Sequence, residues 1–153
     1  IGTGWGGLSI HLAGRSGCRI TTTTISREQA SLARERIAAA GLSERIEVVE
    51  TDYRDLTGSF DRLVSIEMIE AVGWRDFPTY FAKCSELLKE DGSMLLQAIT
   101  IDDDAYELEK ASRSFISRYI FPGGCLPSIR EIRRCLDQVT DLTSRIKSQP
   151  RTV

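Results

Sequence analysis

The alternation of short β-branched or apolar runs with longer stretches of helical period is the feature that most constrains the fold. This pattern is typical of βα units stacked into a parallel sheet. It predicts an α/β fold with a doubly wound, mainly parallel sheet of the Rossmann-like type. The end of a first strand is expected at Ile1, and the predicted strands that follow are Cys18–Ile25, Ile46–Thr51, Phe60–Ile66 and Ser93–Ile101.

Helices are predicted from capping residues and periodicity. Ser26 and Gln29 form a capping box, apolar residues recur at helical spacing behind them, and Gly41 supplies a stop. A further helix is predicted to begin around Asp76 and Pro78 and to end before Gly92. Another is predicted from Tyr106 to Ile120, and a short one, after a turn at Pro122–Pro127, from Ser128 to Leu136.

Composition narrows the classes of protein. The 153 residues are 41% apolar, which suffices for one domain; we assign it to residues 1–142 and expect an irregular tail at 143–153. With 20 basic and 22 acidic side chains and no basic block, a nucleic acid partner is not expected. Four cysteines lie far apart without a CxxC pair, which argues against a metal site or a disulfide framework and favours a cytoplasmic location.

A glycine-rich turn, Gly2-Thr3-Gly4-Trp5-Gly6-Gly7, lies where the first strand meets the first helix. Glycines let a backbone approach a ligand closely, and the free N–H groups of the following helix favour a negative group. The turn satisfies GxGxG, the pattern of methyltransferases, and also GxGxxG, the pattern of dinucleotide-binding proteins. An ordinary tight turn is the third interpretation.

The region after the second strand favours S-adenosyl-L-methionine (SAM). A dinucleotide fold requires a carboxylate about 20 residues after the turn, and this chain has Thr21–Thr24 there. Thr24, Ile25, Ser26 and Gln29 are then candidate contacts of the ribose, although Ser26 and Gln29 are equally explained as helix caps. Asp52 is a candidate partner of the adenine amino group and Tyr53 a candidate stacking ring; capping a turn is the alternative for Asp52.

Five motifs together resemble the cyclopropane-fatty-acyl-phospholipid synthases and mycolic acid cyclopropane synthases. The resemblance covers about residues 1–142, and the last motif is the most specific. It implies a class I SAM-dependent methyltransferase fold, here truncated at both ends. The motifs are Ile1-Gly-Thr-Gly-Trp-Gly-Gly7, Thr24-Ile-Ser-Arg-Glu-Gln29, Asp52-Tyr-Arg-Asp-Leu56, Ser65-Ile-Glu-Met-Ile-Glu-Ala-Val-Gly73 and Tyr119-Ile-Phe-Pro-Gly-Gly-Cys-Leu-Pro-Ser128.

The resemblance also implies a mechanism. In that family the π electrons of a cis double bond attack the sulfonium methyl group, and the resulting carbocation loses a proton to bicarbonate as the ring closes. The family glutamate matches Glu70, expected to orient bicarbonate, with a solvated carboxylate as the alternative. Gln97 stands where many members have histidine and retains an amide donor. Tyr119 and Phe121 lie in the substrate-side motif and are candidates for the acyl pocket, or for core packing.

The implied substrate is an unsaturated phospholipid or acyl-carrier lipid. Such a substrate implies transient contact with a membrane surface, and we expect this protein to be cytoplasmic and peripheral to the inner face of the membrane. Gln97 and Ala71 depart from frequent histidines, so the product is either a cyclopropane or a methyl branch. The alternatives are a SAM-dependent methyltransferase of a small non-lipid acceptor, a non-catalytic cofactor-binding fragment and, more distantly, a dehydrogenase. Regions the family carries beyond these motifs are absent from this segment, so we expect it to be inactive alone.

Overall fold

The structure is a computed structural model that describes residues 1–112, 115–145 and 147. The chain divides into two compact units. The first contains Ile1–Met68 and Glu86–Ala98, and the second contains Ile69–Ser85 and the described residues from 99 onward. Helices and strands follow in the order α1 (Gly7–Ser16), β1 (Ile20–Thr24), α2 (Arg27–Ala39), β2 (Ile46–Glu50), β3 (Phe60–Ile66), α3 (Phe77–Glu86), β4 (Leu88–Gln97), α4 (Tyr106–Ala111) and α5 (Ile129–Val139).

The strands of the first unit form two parallel pairs, β1 with β2 and β3 with β4. The segment before α1 lies between the pairs: the Thr3 N–H donates to the Thr23 carbonyl oxygen over 2.9 Å, and the Ile1 nitrogen donates to the Val64 carbonyl oxygen over 2.8 Å. Ile1–Thr3 therefore takes the place of the predicted first strand. The predicted parallel arrangement is confirmed.

The core of the first unit is built as the periodicity of α2 predicts. Ala33 and Ile37 of α2 pack with Ala13 of α1 and Ile46 of β2 in one buried cluster. The helix begins after Ser26, whose Oγ accepts the Gln29 N–H over 3.2 Å. Only this half of the predicted capping box is present, because the Ser26 N–H donates to Oγ1 of Thr24 and not to the Gln29 side chain. Burial of these small and branched side chains holds α1 and α2 against β1 and β2.

Several predicted boundaries are wrong. Strand β4 begins at Leu88 rather than Ser93, and α3 ends at Glu86 rather than just before Gly92. The reason lies in the partner strand: Leu88 pairs with Phe60, and residues 89–92 then bulge opposite Asp61 before pairing resumes at Arg62. Strand β4 also ends earlier than predicted, at Gln97, and β1 is shorter than predicted at both ends.

The second unit is mainly helical. Its buried side chains include Phe77, Tyr80, Phe81 and Cys84 of α3 and Ile132, Cys135 and Leu136 of α5. Ser128 caps α5 by accepting the Glu131 N–H over 3.2 Å, as its position before the predicted helix suggests. The long helix predicted at 106–120 is wrong, because α4 stops at Ala111, Ser112 is extended, and a separate π-helical turn spans Ile116–Ile120.

The end of the predicted tail falls partly outside the described residues. Residues 143–145 and 147 have neither helix nor strand, and residues 146 and 148–153 lie outside the described part. Among the helices that the structure describes, none has the length and apolar character that crossing a bilayer requires.

Candidate active site

The glycine turn leaves open space above its backbone. Gly2, Gly4 and Gly6 have positive φ angles of 87°, 50° and 83°, which an L side chain rarely adopts. A methyl group built at Gly4 or Gly7 would meet no other atom within 4 Å, whereas one at Gly6 would lie 3.2 Å from Cβ of Ala33. Gly6 thus permits close packing of α1 on α2, and Gly4 and Gly7 border open space.

Thr3 fixes this turn to the sheet, and Trp5 does not. Besides its main-chain bond to Thr23, buried Thr3 places its Oγ1 3.0 Å from Oγ1 of Thr22. Trp5 is 51% exposed, and its carbonyl oxygen accepts a hydrogen bond from Arg36 over 3.2 Å. The turn is therefore held by its small residues while its one bulky side chain remains in contact with solvent.

The candidate ribose contacts are engaged in local hydrogen bonds. Oγ1 of Thr24 donates to Oε1 of Gln29 over 2.8 Å and accepts the Ser26 N–H over 3.1 Å. Ser26 caps α2, so the capping interpretation describes Ser26, while the Gln29 side chain is bonded to Thr24. Ile25 is 78% exposed beside them. These four residues do lie together at the carboxyl end of β1, which is the ligand edge of a doubly wound sheet; their contact with ribose stays a prediction.

Asp52 also has a local partner. Its carboxylate accepts the Arg54 N–H over 3.0 Å and forms an ion pair with the Arg54 guanidinium, with Oδ2 2.7 Å from Nη2. The hydrogen bond from Arg54 holds the pKa of Asp52 below its usual range. Tyr53 is partly buried in the 3-10 turn that Asp52 begins. The capping role of Asp52 is observed, and its contact with adenine, like the stacking of Tyr53, stays a prediction.

Glu67 and Gln97 form a reciprocal pair at the ends of β3 and β4. The Glu67 N–H donates to the Gln97 carbonyl oxygen over 2.9 Å, and Nε2 of Gln97 donates to Oε1 of Glu67 over 3.1 Å. Glu67 has φ 49°, which costs a residue with a side chain about 1–2 kcal/mol. The exposed side-chain hydrogen bond contributes only about 1 kcal/mol. It therefore does not outweigh the cost of the left-handed backbone.

Glu70 is held in the second unit by the loop that follows β4. Its Oε1 accepts the Ile99 N–H over 2.6 Å, while its Oε2 is buried and meets no hydrogen-bond donor among the described residues. A solvated carboxylate, the alternative expected from sequence, does not describe this geometry. A buried carboxylate oxygen without a partner is costly, and a ligand that carries an O–H group would satisfy it.

A second glycine loop lies against Glu70. The Cys125 N–H donates to the Glu70 carbonyl oxygen over 3.1 Å, and the Gly124 N–H donates to the Phe121 carbonyl oxygen over 2.8 Å. A methyl group built at Gly124 would lie 2.5 Å from the Glu70 carbonyl oxygen. Gly73 has the converse role, because a methyl group there would lie 3.1 Å from the Gly123 carbonyl oxygen. We call Gly73 and Gly124, with the backbones they face, the glycine clasp.

Tyr119 and Phe121 do not pack in a core. Tyr119 is 61% exposed, and its ring centroid lies 5.2 Å from that of exposed Phe115. Phe121 is exposed, and its carbonyl oxygen accepts the Gly124 N–H. The next residue of this loop, Cys125, donates its N–H to the Glu70 carbonyl oxygen. The core-packing alternative is therefore wrong for both side chains in this structure, and their place in an acyl pocket stays a prediction.

Three of the four cysteines are packed in the interior of the protein. None of the four is in a disulfide, and only Cys18 is exposed. Burial raises the pKa of Cys84 to about 12 and that of Cys125 to about 11, so both thiols are protonated near neutral pH. Among the residues that the structure describes, no group of three or more His, Cys, Asp or Glu side chains is arranged to hold a metal ion.

Comparison with known proteins decides the family. The profile of the mycolic acid cyclopropane synthetase family matches residues 1–148. The chain belongs to this family. Within it, the tuberculostearic acid methyltransferase of Mycobacterium tuberculosis is 46% identical over 142 residues, which are 93% of this chain and 33% of the relative. The cyclopropane-fatty-acyl-phospholipid synthase of Escherichia coli is 41% identical over 132 residues, which are 86% of this chain and 32% of that enzyme.

A solved family structure shows the fold. The mycolic acid cyclopropane synthase CmaA1, in a complex with SAH and CTAB, superposes with a TM-score of 0.78 and 28% identity over 90% of this chain and 51% of its own. The class I methyltransferase fold is thereby confirmed. The chain spans about a third of the length of the curated relatives and about half of the length of CmaA1.

Two features of the site were not predicted from sequence. The left-handed backbone of Glu67 and its bond to Gln97 depend on how β3 ends, and no local residue pattern signals a left-handed glutamate. The glycine clasp is partly readable, because Gly73 and the pair Gly123-Gly124 occur in two of the motifs. Nothing in the sequence says that these two segments meet.

Proposed function

We propose that this chain is the SAM-binding part of an enzyme that transfers a methyl or methylene group to the double bond of an unsaturated fatty acyl chain, carried by a phospholipid or a carrier-bound lipid. Family membership and two curated relatives more than 40% identical support the proposal. The observation that carries it within the structure is Glu70, whose carboxylate has one oxygen fixed by Ile99 and the other buried without a donor.

The glycine turn fits SAM. Gly4 and Gly7 border open space, and the N-terminus of α1 has no side-chain cap to satisfy its first N–H groups. When bound, SAM supplies an electrophilic methyl group on a sulfonium sulfur. In this proposal Gly2–Gly7 surrounds the methionine and ribose portions, with Thr24, Ile25, Ser26 and Gln29 on the ribose side. Asp52 and Tyr53 would contact adenine, and the Arg54 ion pair keeps the Asp52 carboxylate ionised as an acceptor.

Glu70 fits a bicarbonate ion. The buried Oε2 is an acceptor, and a carboxylate can bind this anion only through the anion's O–H group, so Glu70 would orient bicarbonate as well as hold it. Bicarbonate supplies a base for the proton that the substrate cation must lose. The Ile99 N–H fixes the other oxygen of Glu70 and hence the direction in which Oε2 points. Gln97 is proposed as a further polar contact of the reaction on the strength of the family motif.

Tyr119 and Phe121 are proposed to border the acyl chain. A carbocation requires a surface that excludes water and offers electron-rich faces, and aromatic rings provide both. The loop that carries Phe121 is bonded to the Glu70 backbone within the same unit. The exposed Phe115, Tyr119, Ile120 and Phe121 side chains also suit transient contact with a membrane surface.

Transfer of labelled methyl groups from SAM tests this function. The whole protein that contains this chain is mixed with vesicles of an unsaturated phospholipid, with vesicles of the matched saturated phospholipid, and with small amine acceptors. We expect label in the unsaturated lipid alone. Label in an amine would favour a non-lipid methyltransferase, and SAM binding without any transfer would favour a non-catalytic protein.

Glu70→Gln is the matched variant for the same assay. The amide retains an oxygen for the Ile99 N–H but replaces the buried acceptor with a donor, so we expect the fold to be preserved while the acceptor that orients the bicarbonate O–H group is lost. We expect kcat to fall about 100-fold or more, within the range for loss of a group that serves proton transfer, while the Kd of SAM measured by calorimetry stays within about two-fold. Wild-type kcat in this variant would contradict the role of Glu70.

A further inference from the structure

Glu67 is unusual at the level of the backbone. Among the described residues it is the one non-glycine with a positive φ, and it follows β3 directly. Glutamate is rare in the left-handed region, since its Cβ crowds the neighbouring carbonyl group. Such a conformation persists where surrounding contacts hold it and is concentrated at functional sites. The contacts that Glu67 makes in this conformation are therefore informative about its role.

That contact requires the left-handed backbone. Ile66 and Gln97 are paired in the parallel register of β3 and β4, so their side chains point to the same face of the sheet. As the next residue of an extended strand, Glu67 would point to the opposite face. Its φ of 49° turns it out of the strand and allows its Oε1 to accept the hydrogen bond from Nε2 of Gln97.

The carboxylate also decides which way the Gln97 amide faces. An ionised carboxylate accepts hydrogen bonds and donates none, so the amide must turn its nitrogen towards Glu67. The side-chain oxygen of Gln97, Oε1, and the second N–H of its amide are then left for other contacts. Because both side chains are exposed, the bond adds too little stability to explain why the strained backbone persists.

We propose that Glu67 is a positioning residue that holds the Gln97 amide in one orientation for the methyl-transfer reaction. The inference rests on the proposed function, in which Gln97 contacts the reacting groups. Glu67 acts through Gln97 and touches neither SAM nor the lipid. The residue after Glu67, Met68, lies against the glycine turn, since a methyl group built at Gly2 would be 3.5 Å from its Cβ.

A double-mutant cycle on the whole protein tests the inference, with Glu67→Gly, Gln97→Ala and the double variant. Glycine accepts a positive φ without strain, so we expect the Tm of Glu67→Gly to be unchanged or raised while its kcat falls about ten-fold, with SAM affinity within about two-fold of wild type. In the Gln97→Ala background, Glu67→Gly should lower kcat no further. Glu67→Gln can face Gln97 with either its amide oxygen or its nitrogen, so its kcat should lie between those of Glu67→Gly and the wild type.

The alternatives give different results. Wild-type kcat in Glu67→Gly together with a loss in Gln97→Ala would overturn the positioning role and leave the proposed function standing. Wild-type kcat in Gln97→Ala would remove the role of Gln97 and this inference with it. Additive losses, a lowered Tm, or a weaker Kd for SAM in Glu67→Gly would each overturn the inference, by indicating an independent, structural or cofactor-binding role. Glu44→Gly, at an exposed turn of the first unit, is the control for a Glu-to-Gly change.

Discussion

Two glycine-rich turns in this chain use the same residue for different physical reasons. In the first, Gly2–Gly7, methyl groups at Gly4 and Gly7 would meet open space. In the second, Phe121–Cys125, a methyl group at Gly124 would press on the Glu70 carbonyl oxygen. The first turn borders open space, which we propose that SAM occupies, and the second omits a side chain so that two stretches of backbone can touch.

A glycine motif in the sequence does not by itself say why each glycine is there. Both turns stand out in the sequence, yet only the structure separates a glycine that borders open space from a glycine required by close packing. The two cases differ in what a substitution should damage. Substitution beside open space should weaken binding while the protein stays folded, and substitution in the glycine clasp should damage the fold of the second unit.

Gly124→Ala should have the largest effect. Its methyl group would lie 2.5 Å from the Glu70 carbonyl oxygen and 3.0 Å from that of Phe121, and main-chain atoms cannot rotate away as a side chain does. We expect a loss of about 3 kcal/mol or more in the free energy of unfolding, comparable with overpacking plus a broken buried hydrogen bond. Chemical denaturation followed by circular dichroism measures this change.

Thiol reactivity locates that damage. In the native protein Cys125 is buried with a pKa raised to about 11, while exposed Cys18 reacts freely and serves as the internal reference. We expect alkylation of Cys125 at pH 8 to be much faster in Gly124→Ala, with Cys18 unchanged. Wild-type stability and a protected Cys125 would mean that the clasp is not tightly packed and would end the distinction between the two turns.

Gly4→Ala should have an intermediate effect. The φ of 50° disfavours alanine by about 1–2 kcal/mol, but no atom blocks the methyl group. We therefore expect a modest loss of stability and at least a ten-fold weaker Kd for SAM, measured by calorimetry. Gly14→Ala is the matched control, because Gly14 lies in α1, has no positive φ and has no atom near its missing Cβ. Unchanged affinity in Gly4→Ala would contradict the ligand role of this turn.

The sequence predicted most of the first unit because its signals are local. Ser26 caps α2 at the predicted residue, and the parallel strands follow from β-branched runs separated by helices. It did not predict the early start of β4, since Leu88 is extended through pairing with distant Phe60 rather than through its own neighbours. The long helix predicted at 106–120 fails in the same way, because its periodicity continues through a break at Ser112.

The candidate site follows the same rule. The position of Gln97 near the end of β4 was predicted, since strand ends can be read from sequence, whereas Glu70 was singled out by its place in a motif; the roles of both stay predictions. Their partners could not be read. Ile99, which fixes one oxygen of Glu70, is brought there by the path of the chain beyond β4, and Glu67 faces Gln97 through a left-handed backbone that no local pattern signals. Sequence predicts which residues reach a site more readily than what holds them in it.

Gly7→Ala should have the smallest effect and therefore tests the comparison most finely. Gly7 begins α1 without a positive φ, and its methyl group would enter open space, so alanine should leave the free energy of unfolding unchanged or raise it by up to about 1 kcal/mol. We expect SAM to bind about three-fold more weakly, because the methyl group takes up part of the space that the ligand needs. If the open space serves no ligand, Gly7→Ala will gain stability at no cost in affinity, as expected of Gly14→Ala, and the first turn will be explained by backbone geometry alone.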